Sequence, residues 1–169
     1  APNLLSDWTD NTVVGLNGQS SFTTDWSLTA GIWPLLAPGT NYISIRAFDA
    51  ASNTSTIATD TFYILKDTSS PQVIDLQPGD TVWRRFGGTE YNIDFEDNES
   101  WLTGAEYKVH SAANESGSTL INWTLIFSST GTRKETNNWS VTWPALQQGH
   151  NYVSVRSSDI AGNTTAYVD

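Results

Sequence analysis

The sequence predicts an all-β protein built from tandem antiparallel β-sandwiches, the first of them partial. Ser and Thr make up about a quarter of its 169 residues, and β-branched and aromatic residues dominate its apolar set. Stretches rich in Glu, Lys and Leu, which are typical of helices, are missing. A 22-residue segment also recurs 110 positions further along the chain. These observations together predict sheets and almost no helix.

The repeat is the strongest of these signals. The segment WPLLAPGTNYISIRAFDAASNT at residues 33–54 aligns without a gap with WPALQQGHNYVSVRSSDIAGNT at residues 143–164, and twelve positions are identical. Upstream, LLSDWT at residues 4–9 aligns with TLINWT at residues 119–124, so that Trp8 is the counterpart of Trp123. The chain therefore contains two copies of one structural unit.

The two copies differ in what surrounds them. Residues 68–118 precede the second copy and have no counterpart in the first, and the first copy continues past its Thr-rich segment to Asp67. Residues 1–67 are therefore interpreted as the C-terminal half of a repeat or as a small complete β domain, and residues 68–169 as a sandwich repeat. Because the chain lacks Met and starts and stops within the repeat pattern, we expect it to be a piece of a longer tandem array.

Alternation of apolar and polar residues places the strands. Residues 41–49 put Ile43 and Ile45 on one face and Tyr42 and Arg46 on the other, as a half-buried strand requires. Residues 151–159 repeat this pattern, and each segment is followed by an Asp- and Asn-containing turn and a Thr-rich strand, which predicts a hairpin. Further predicted strands are residues 73–76, 91–95, 105–110, 120–127 and 139–143.

Four tryptophans recur in both copies, at the same strand and the following loop. Because an indole buries a large apolar area, we expect them to anchor the core of each unit. They are Trp26, Trp33, Trp139 and Trp143.

The repeated motif resembles a known family. The pattern G-x-N-Y-[IV]-S-[IV]-R-x-x-D-x-A-x-N-T, with KDTSSP at residues 66–71 between the copies, is similar to the last hairpin and linker of bacterial immunoglobulin-like repeats. That resemblance implies tandem Greek-key sandwiches in secreted or cell-surface proteins, where such repeats form stalks, adhesive tips, surface layers and spacers.

Composition excludes several function classes. The formal net charge of -10 opposes binding to nucleic acid and anionic membranes, and no apolar run is long enough to span a bilayer. The absence of cysteine removes disulfides and thiolate sites. With two histidines and no nucleophile motif ahead of a helix, the sequence predicts no enzymatic activity and no cofactor other than calcium.

The densest carboxylate cluster is a candidate calcium site. Calcium takes several carboxylate and carbonyl oxygens, and the linker can add one more ligand. The predicted ligands are Asp67, Glu96, Asp97 and Glu99, and the alternative is a solvated acidic loop. Asp49 and Asp159, each with an Asn four residues later, are instead expected to bond locally within their hairpin turns.

Two further kinds of site remain open. Trp83 and Trp101 lie in the segment without a counterpart, beside charged residues, and exposed indoles there would stack on sugar rings. Asparagines in N-x-[ST] triplets are candidate glycosylation sites, although their number barely exceeds what composition produces. These asparagines are Asn53, Asn98, Asn114 and Asn163.

Two functions follow from these observations. The first is a structural or adhesive repeat module outside the cell, in a stalk, surface layer or filament, whose partners are other copies of the chain, neighbouring repeats or cell-surface polysaccharide. An incomplete first unit would leave a sheet edge that another chain can complete by strand addition. The second is a carbohydrate-binding accessory module of a larger secreted enzyme.

Overall fold

The structure, a computed structural model, describes residues 4–5, 7–8, 20–28, 30–77 and 79–169. The chain divides into two compact units, Ala1–Asp67 and Thr68–Asp169. All-β architecture is confirmed, since the described residues form antiparallel strands and two short 3-10 turns without an α-helix. The strands are β1 Gly39–Ile45, β2 Ala58–Lys66, β3 Gln72–Asp75, β4 Ile93–Glu96, β5 Leu102–Ala112, β6 Ser116–Thr132, β7 Lys134–Glu135, β8 Tyr152–Asp159 and β9 Thr164–Tyr167.

In the first unit, β1 and β2 form a two-stranded antiparallel sheet. Strand β1 ends at Ile45, where the pairing register shifts, so the prediction of a continuous strand to residue 49 is wrong. An isolated bridge between Phe48 and Thr54 continues the hairpin beyond the irregularity. The described segment 20–28 contacts this sheet where the Trp26 ring packs edge-on against Phe62 at 5.9 Å.

The second unit contains two sheets. One has the order β3-β4-β7 and the other the order β6-β5-β8-β9, and all pairs are antiparallel. Alternation along the strands places Phe95 of β4, Val109 of β5 and Val155 of β8 in one buried cluster. Because these residues come from both sheets, the sheets pack face to face around a shared core. The predicted hairpin β8–β9 is confirmed.

The turn after each copy of the repeated strand has the same hydrogen bonds in both units. In the first unit, Asn53 donates from its backbone N to Asp49 Oδ1 at 2.9 Å and from Nδ2 to Oδ2 at 2.8 Å. In the second, Asn163 donates in the same way to Asp159 at 2.8 and 2.9 Å. The predicted local role of these Asp and Asn residues is thereby confirmed, because the carboxylate closes the turn by itself.

The loop before the repeated strand is also the same in both units. Each contains a short 3-10 turn with Pro in its first turn, Trp33–Leu35 and Trp143–Ala145. A following asparagine, Asn41 or Asn151, accepts a backbone N–H and donates to two carbonyls. The predicted strand at residues 139–143 is wrong, because this segment contributes one bridge to Tyr91 and then enters the 3-10 turn.

The four recurring tryptophans do not share one environment. Trp139 is a core residue, and its ring stacks on that of Tyr107 at 5.3 Å. Trp143 is half-buried. Trp26 and Trp33 are 41% and 49% exposed, so the prediction that they are buried anchors is wrong. In the second unit a second sheet covers the core, whereas the described residues of the first unit form one two-stranded sheet.

Candidate functional site

The edge of β1 is the clearest candidate interface in the first unit. Strand β1 pairs with β2 on one side, and none of the residues that the structure describes forms a strand on its other side. Strand β8, whose sequence repeats that of β1, lies between β9 and β5. Strand β5 pairs with β8 from Leu102 to His110. The backbone edge that β5 fills in the second unit is therefore open at β1 among the described residues.

Exposed apolar side chains, two of them aromatic, lie on the two-stranded sheet that has this edge. Tyr42 of β1 and Tyr63 of β2 face each other across the sheet, are 66% and 60% exposed, and have ring centroids 6.4 Å apart. Leu65 lies next to them and is 68% exposed. An unpaired edge flanked by exposed apolar side chains favours the addition of another strand.

Two buried carboxylates lie together in the second unit. Oxygen atoms of Asp97 and Asp159 come within 4.8 Å of each other, and both residues are almost completely buried. Asp97 Oδ1 accepts backbone N–H groups from Glu99, Ser100 and Trp101, the three residues just before β5, at 2.7 to 3.2 Å. These bonds offset part of the cost of burying the charge.

The structure gathers the predicted calcium ligands only in part. Glu96 pairs with Lys134 at 3.4 Å, Glu99 is exposed, and Asp67 is the last residue of the first unit. The neighbour of Asp97 within its own unit is Asp159, which the sequence assigned to a turn and not to a metal. Calcium binding, with Asp67 as a further ligand, stays a prediction.

Calcium binding would appear as a shift in thermal stability. A cation between the Asp97 and Asp159 carboxylates would relieve their repulsion, so we expect millimolar CaCl₂ to raise the melting temperature relative to EDTA by mass action. Scanning calorimetry of the chain in calcium, magnesium or EDTA measures this. The Asp97→Asn variant should lose the response. Identical unfolding curves in calcium and in EDTA would contradict the prediction.

The two equivalent turn carboxylates differ in exposure. Asp159 is buried at 2%, whereas Asp49 is exposed. In Asp49, the hydrogen bonds from the side chain and backbone of Asn53 hold the carboxyl pKa below its usual range. In the second unit this turn brings its carboxylate next to Asp97, because β5, which follows the Asp97 loop, pairs with β8 as far as Asp159.

The two tryptophans predicted to bind sugar are both exposed but lie far apart along β8. Trp83, 79% exposed, packs edge-on against His150 at 6.0 Å, just before β8 begins. The Trp101 ring, 42% exposed, has the Arg133 guanidinium 5.8 Å from its centre, and the Trp101 backbone carbonyl accepts a hydrogen bond from the backbone N–H of Ile160, just after β8 ends. An eight-residue strand is roughly 23 Å long. The indoles thus lie at opposite ends of β8 and cannot stack on one short oligosaccharide.

The loop around Trp83 has its own polar cluster. Asp80 accepts a hydrogen bond from Arg84 Nε at 2.6 Å, and Tyr91 lies 3.4 Å from the same carboxylate. The Arg84 hydrogen bond holds the pKa of Asp80 below its usual range, while burial raises the pKa of Tyr91. These contacts fold the loop onto the second unit and leave the Trp83 ring facing outward.

The histidines and the glycosylation candidates have ordinary structural surroundings. His110 is buried, and Thr119 lies 3.1 Å from its Nε2. Among the described residues its Nδ1 has no hydrogen-bond partner, so none of their carboxylates orients the ring as in a catalytic triad. The side-chain amides of Asn53 and Asn163 are hydrogen-bonded inside their turns. Asn98 and Asn114 are exposed, and glycosylation of any of the four stays a prediction.

Comparison of the chain with protein-family models, with curated proteins and with solved structures finds no match. Among the described residues, no helix is long and apolar enough to cross a bilayer. A proposal of function therefore has to be argued from the sequence and from the geometry of each unit.

Proposed function

We propose that this chain is a non-catalytic structural or adhesive module of tandem immunoglobulin-like sandwiches in an extracellular assembly, and that it joins other copies by strand complementation. The extracellular location and the family rest on the resemblance of the repeated motif and linker. The geometry adds support for the sandwich type and for the way in which copies join.

The topology of the second unit supports an immunoglobulin-like sandwich. Counted in order from β3 to β9, the first, second and fifth strands form one sheet, and the fourth, third, sixth and seventh form the other. A seven-strand immunoglobulin sandwich likewise has its first, second and fifth strands in one sheet and its third, sixth and seventh side by side in the other, but it keeps its fourth strand in the first sheet. In this chain the fourth strand, β6, has moved to the edge of the other sheet, beside β5. The chain departs from antibody domains in lacking the inter-sheet disulfide, since it has no cysteine.

The edge of β1, which no described residue pairs with, is the observation that carries the assembly proposal. Its repeat counterpart β8 has that edge covered by β5 over eight paired residues. An added antiparallel strand contributes about 0.2–1 kcal/mol for each facing pair, so completing the seven-residue β1 would gain a few kcal/mol per junction. We infer that a strand from another copy of the chain takes the place beside β1.

We expect the chain to associate as its concentration rises, and the Tyr42→Lys variant to associate more weakly. A lysine on an exposed edge strand disfavours strand addition. Sedimentation velocity over a range from micromolar to millimolar chain measures both results. A peptide with the β5 sequence, residues 102–112, should compete with association, and a scrambled peptide should not.

Tyr63→Lys is the matched control. It removes the same aromatic pair and introduces the same charge, but on β2 and not on the open edge of β1. Association should persist in this variant. A chain that stays monomeric at millimolar concentration would contradict the assembly proposal, and equal losses in both variants would place the interface away from the β1 edge.

A further inference from the structure

One row of side chains crosses the outer face of the four-stranded sheet. Glu106 of β5 is paired with Leu125 of β6 on one side and with Arg156 of β8 on the other, and Arg156 is paired with Ala166 of β9. Directly paired residues point to the same side of a sheet, and Val155 and Tyr107 beside them point into the core. The row is therefore on the side away from the core.

This row borders a groove with a volume of about 550 Å³, within the range of small-molecule sites. Trp123 and Leu125 form one wall, and small residues of the adjoining row, such as Gly104, Ser158 and Thr164, form the floor. The groove exists because large side chains on β6 stand beside small ones on β5, β8 and β9. Leu125 is 58% exposed, so the wall presents apolar surface to an occupant.

The polar groups of the groove can serve a ligand without being rearranged. Arg156 donates from Nε to Glu106 Oε2 at 2.6 Å, and neither side chain has another hydrogen bond with the residues that the structure describes. The terminal N–H groups of Arg156 can therefore donate to a ligand, and the adjacent Oε1 of Glu106 can accept from it. Neighbouring hydroxyls of a sugar are donors and acceptors at once and match such a pair.

The charges favour a neutral ligand. The Arg156 charge is balanced by Glu106, and the nearby Lys108 is paired with Glu115 at 3.3 Å. The chain as a whole carries a net charge of -10, which repels anions. A polar ligand without net charge therefore has the smallest electrostatic free-energy cost on entering the groove.

The arrangement of Trp and Arg at this groove recurs in the first unit. The Arg156 guanidinium lies 4.3 Å from the centre of the Trp123 ring, and that of Arg46 lies 4.3 Å from the centre of the Trp8 ring. Each indole also follows an Asp or Asn whose side chain accepts its backbone N–H. The stack thus belongs to the repeat, whereas Glu106 lies in the segment without a counterpart, so within the part of the chain that the structure describes the complete groove is found in the second unit.

We propose that the groove lined by Trp123, Arg156 and Glu106 binds a neutral saccharide. Leu125, with the part of the Trp123 ring that the stacked Arg156 leaves uncovered, contacts the apolar face of the sugar, and Arg156 and Glu106 fix its orientation by donating to and accepting from adjacent hydroxyls. This site does not depend on strand complementation at β1. It also lies apart from Trp83 and Trp101, the residues that the sequence favoured for sugar binding.

Titration of the ¹⁵N-labelled chain with neutral hexasaccharides tests the site by nuclear magnetic resonance. The probes are cellohexaose, maltohexaose, mannohexaose and chitohexaose, with hexagalacturonate as the anionic comparison. At least one neutral probe should shift the Trp123 Nε1–H and Arg156 Nε–H signals. Arg156→Lys keeps the charge but loses the planar fork of donors. The affinity of the chain for that probe, measured by the same titration, should fall at least tenfold in this variant.

Arg46→Lys is the matched control in the first unit and should leave the affinity unchanged, as should Trp83→Ala. Ala166→Tyr fills the groove from β9 and leaves Glu106 and Arg156 unchanged in sequence, and it should abolish the shifts. This second variant keeps the site testable if Arg156→Lys fails to fold. The proposal is overturned if no neutral probe shifts these signals up to about 10 mM, if neither groove variant weakens binding, or if hexagalacturonate binds there more tightly.

Discussion

Replacing Phe95 by alanine is expected to lower the free energy of unfolding of the second unit by about 4 kcal/mol. Phe95 is 1% exposed, and its ring lies 5.7 Å from that of Phe127. Its strand, β4, faces the four-stranded sheet, so truncation would leave a cavity between the two sheets where neither backbone can easily move. Urea unfolding of the full chain, followed through amide signals of the second unit, measures the change.

Phe86→Ala is the matched control for this prediction. Phe86 belongs to the same unit but is 72% exposed and touches Arg85. Its truncation should change stability by less than about 0.5 kcal/mol. Equal effects at the two positions would show that Phe95 is not sealed between two sheets, and the face-to-face packing of the second unit would have to be abandoned.

The parts of the fold that sequence predicted are those that local chemistry determines. The Asp159–Asn163 turn closes through bonds between residues four apart, and the same bonds form around Asp49. Alternation of apolar and polar residues over 151–159 likewise predicted which residues lie on each face of β8, because side chains in a strand point to the same face at every second residue. Such signals lie within one short segment and need no knowledge of what packs against it.

The features that sequence did not predict depend on distant parts of the chain. Asp97 and Asp159 are 62 positions apart and meet because β5 pairs with β8. Recurrence of Trp26 and Trp33 predicted burial, but burial depends on the second layer that covers a residue. The Trp123–Arg156 stack joins two strands separated by β5 in the sheet. The alignment of Trp8 with Trp123 and of Arg46 with Arg156 was the available signal for it.

Asp97→Ala is expected to destabilise the second unit by about 3 kcal/mol, measured in EDTA so that no cation contributes. One carboxylate oxygen accepts the backbone N–H groups of Glu99, Ser100 and Trp101. Hydrogen bonds to a charged acceptor contribute about 1.5–3 kcal/mol each, and water can replace part of this in a loop. Trp101 has a φ of 74°, a conformation that is rare outside glycine and that these bonds help to hold.

Asp97→Asn separates the geometry of the acceptor from its charge. An asparagine keeps an oxygen that can accept all three N–H groups, and it removes one of two negative charges whose oxygens lie within 4.8 Å. We therefore expect it to cost at most about 1 kcal/mol in urea unfolding at neutral pH. If Asn destabilises as much as Ala, the charge of Asp97 is needed even without a metal. If neither variant destabilises the second unit, the three hydrogen bonds do not hold the loop. The Trp101 backbone should then relax in the variants, and faster amide exchange at residues 99–101 would reveal this.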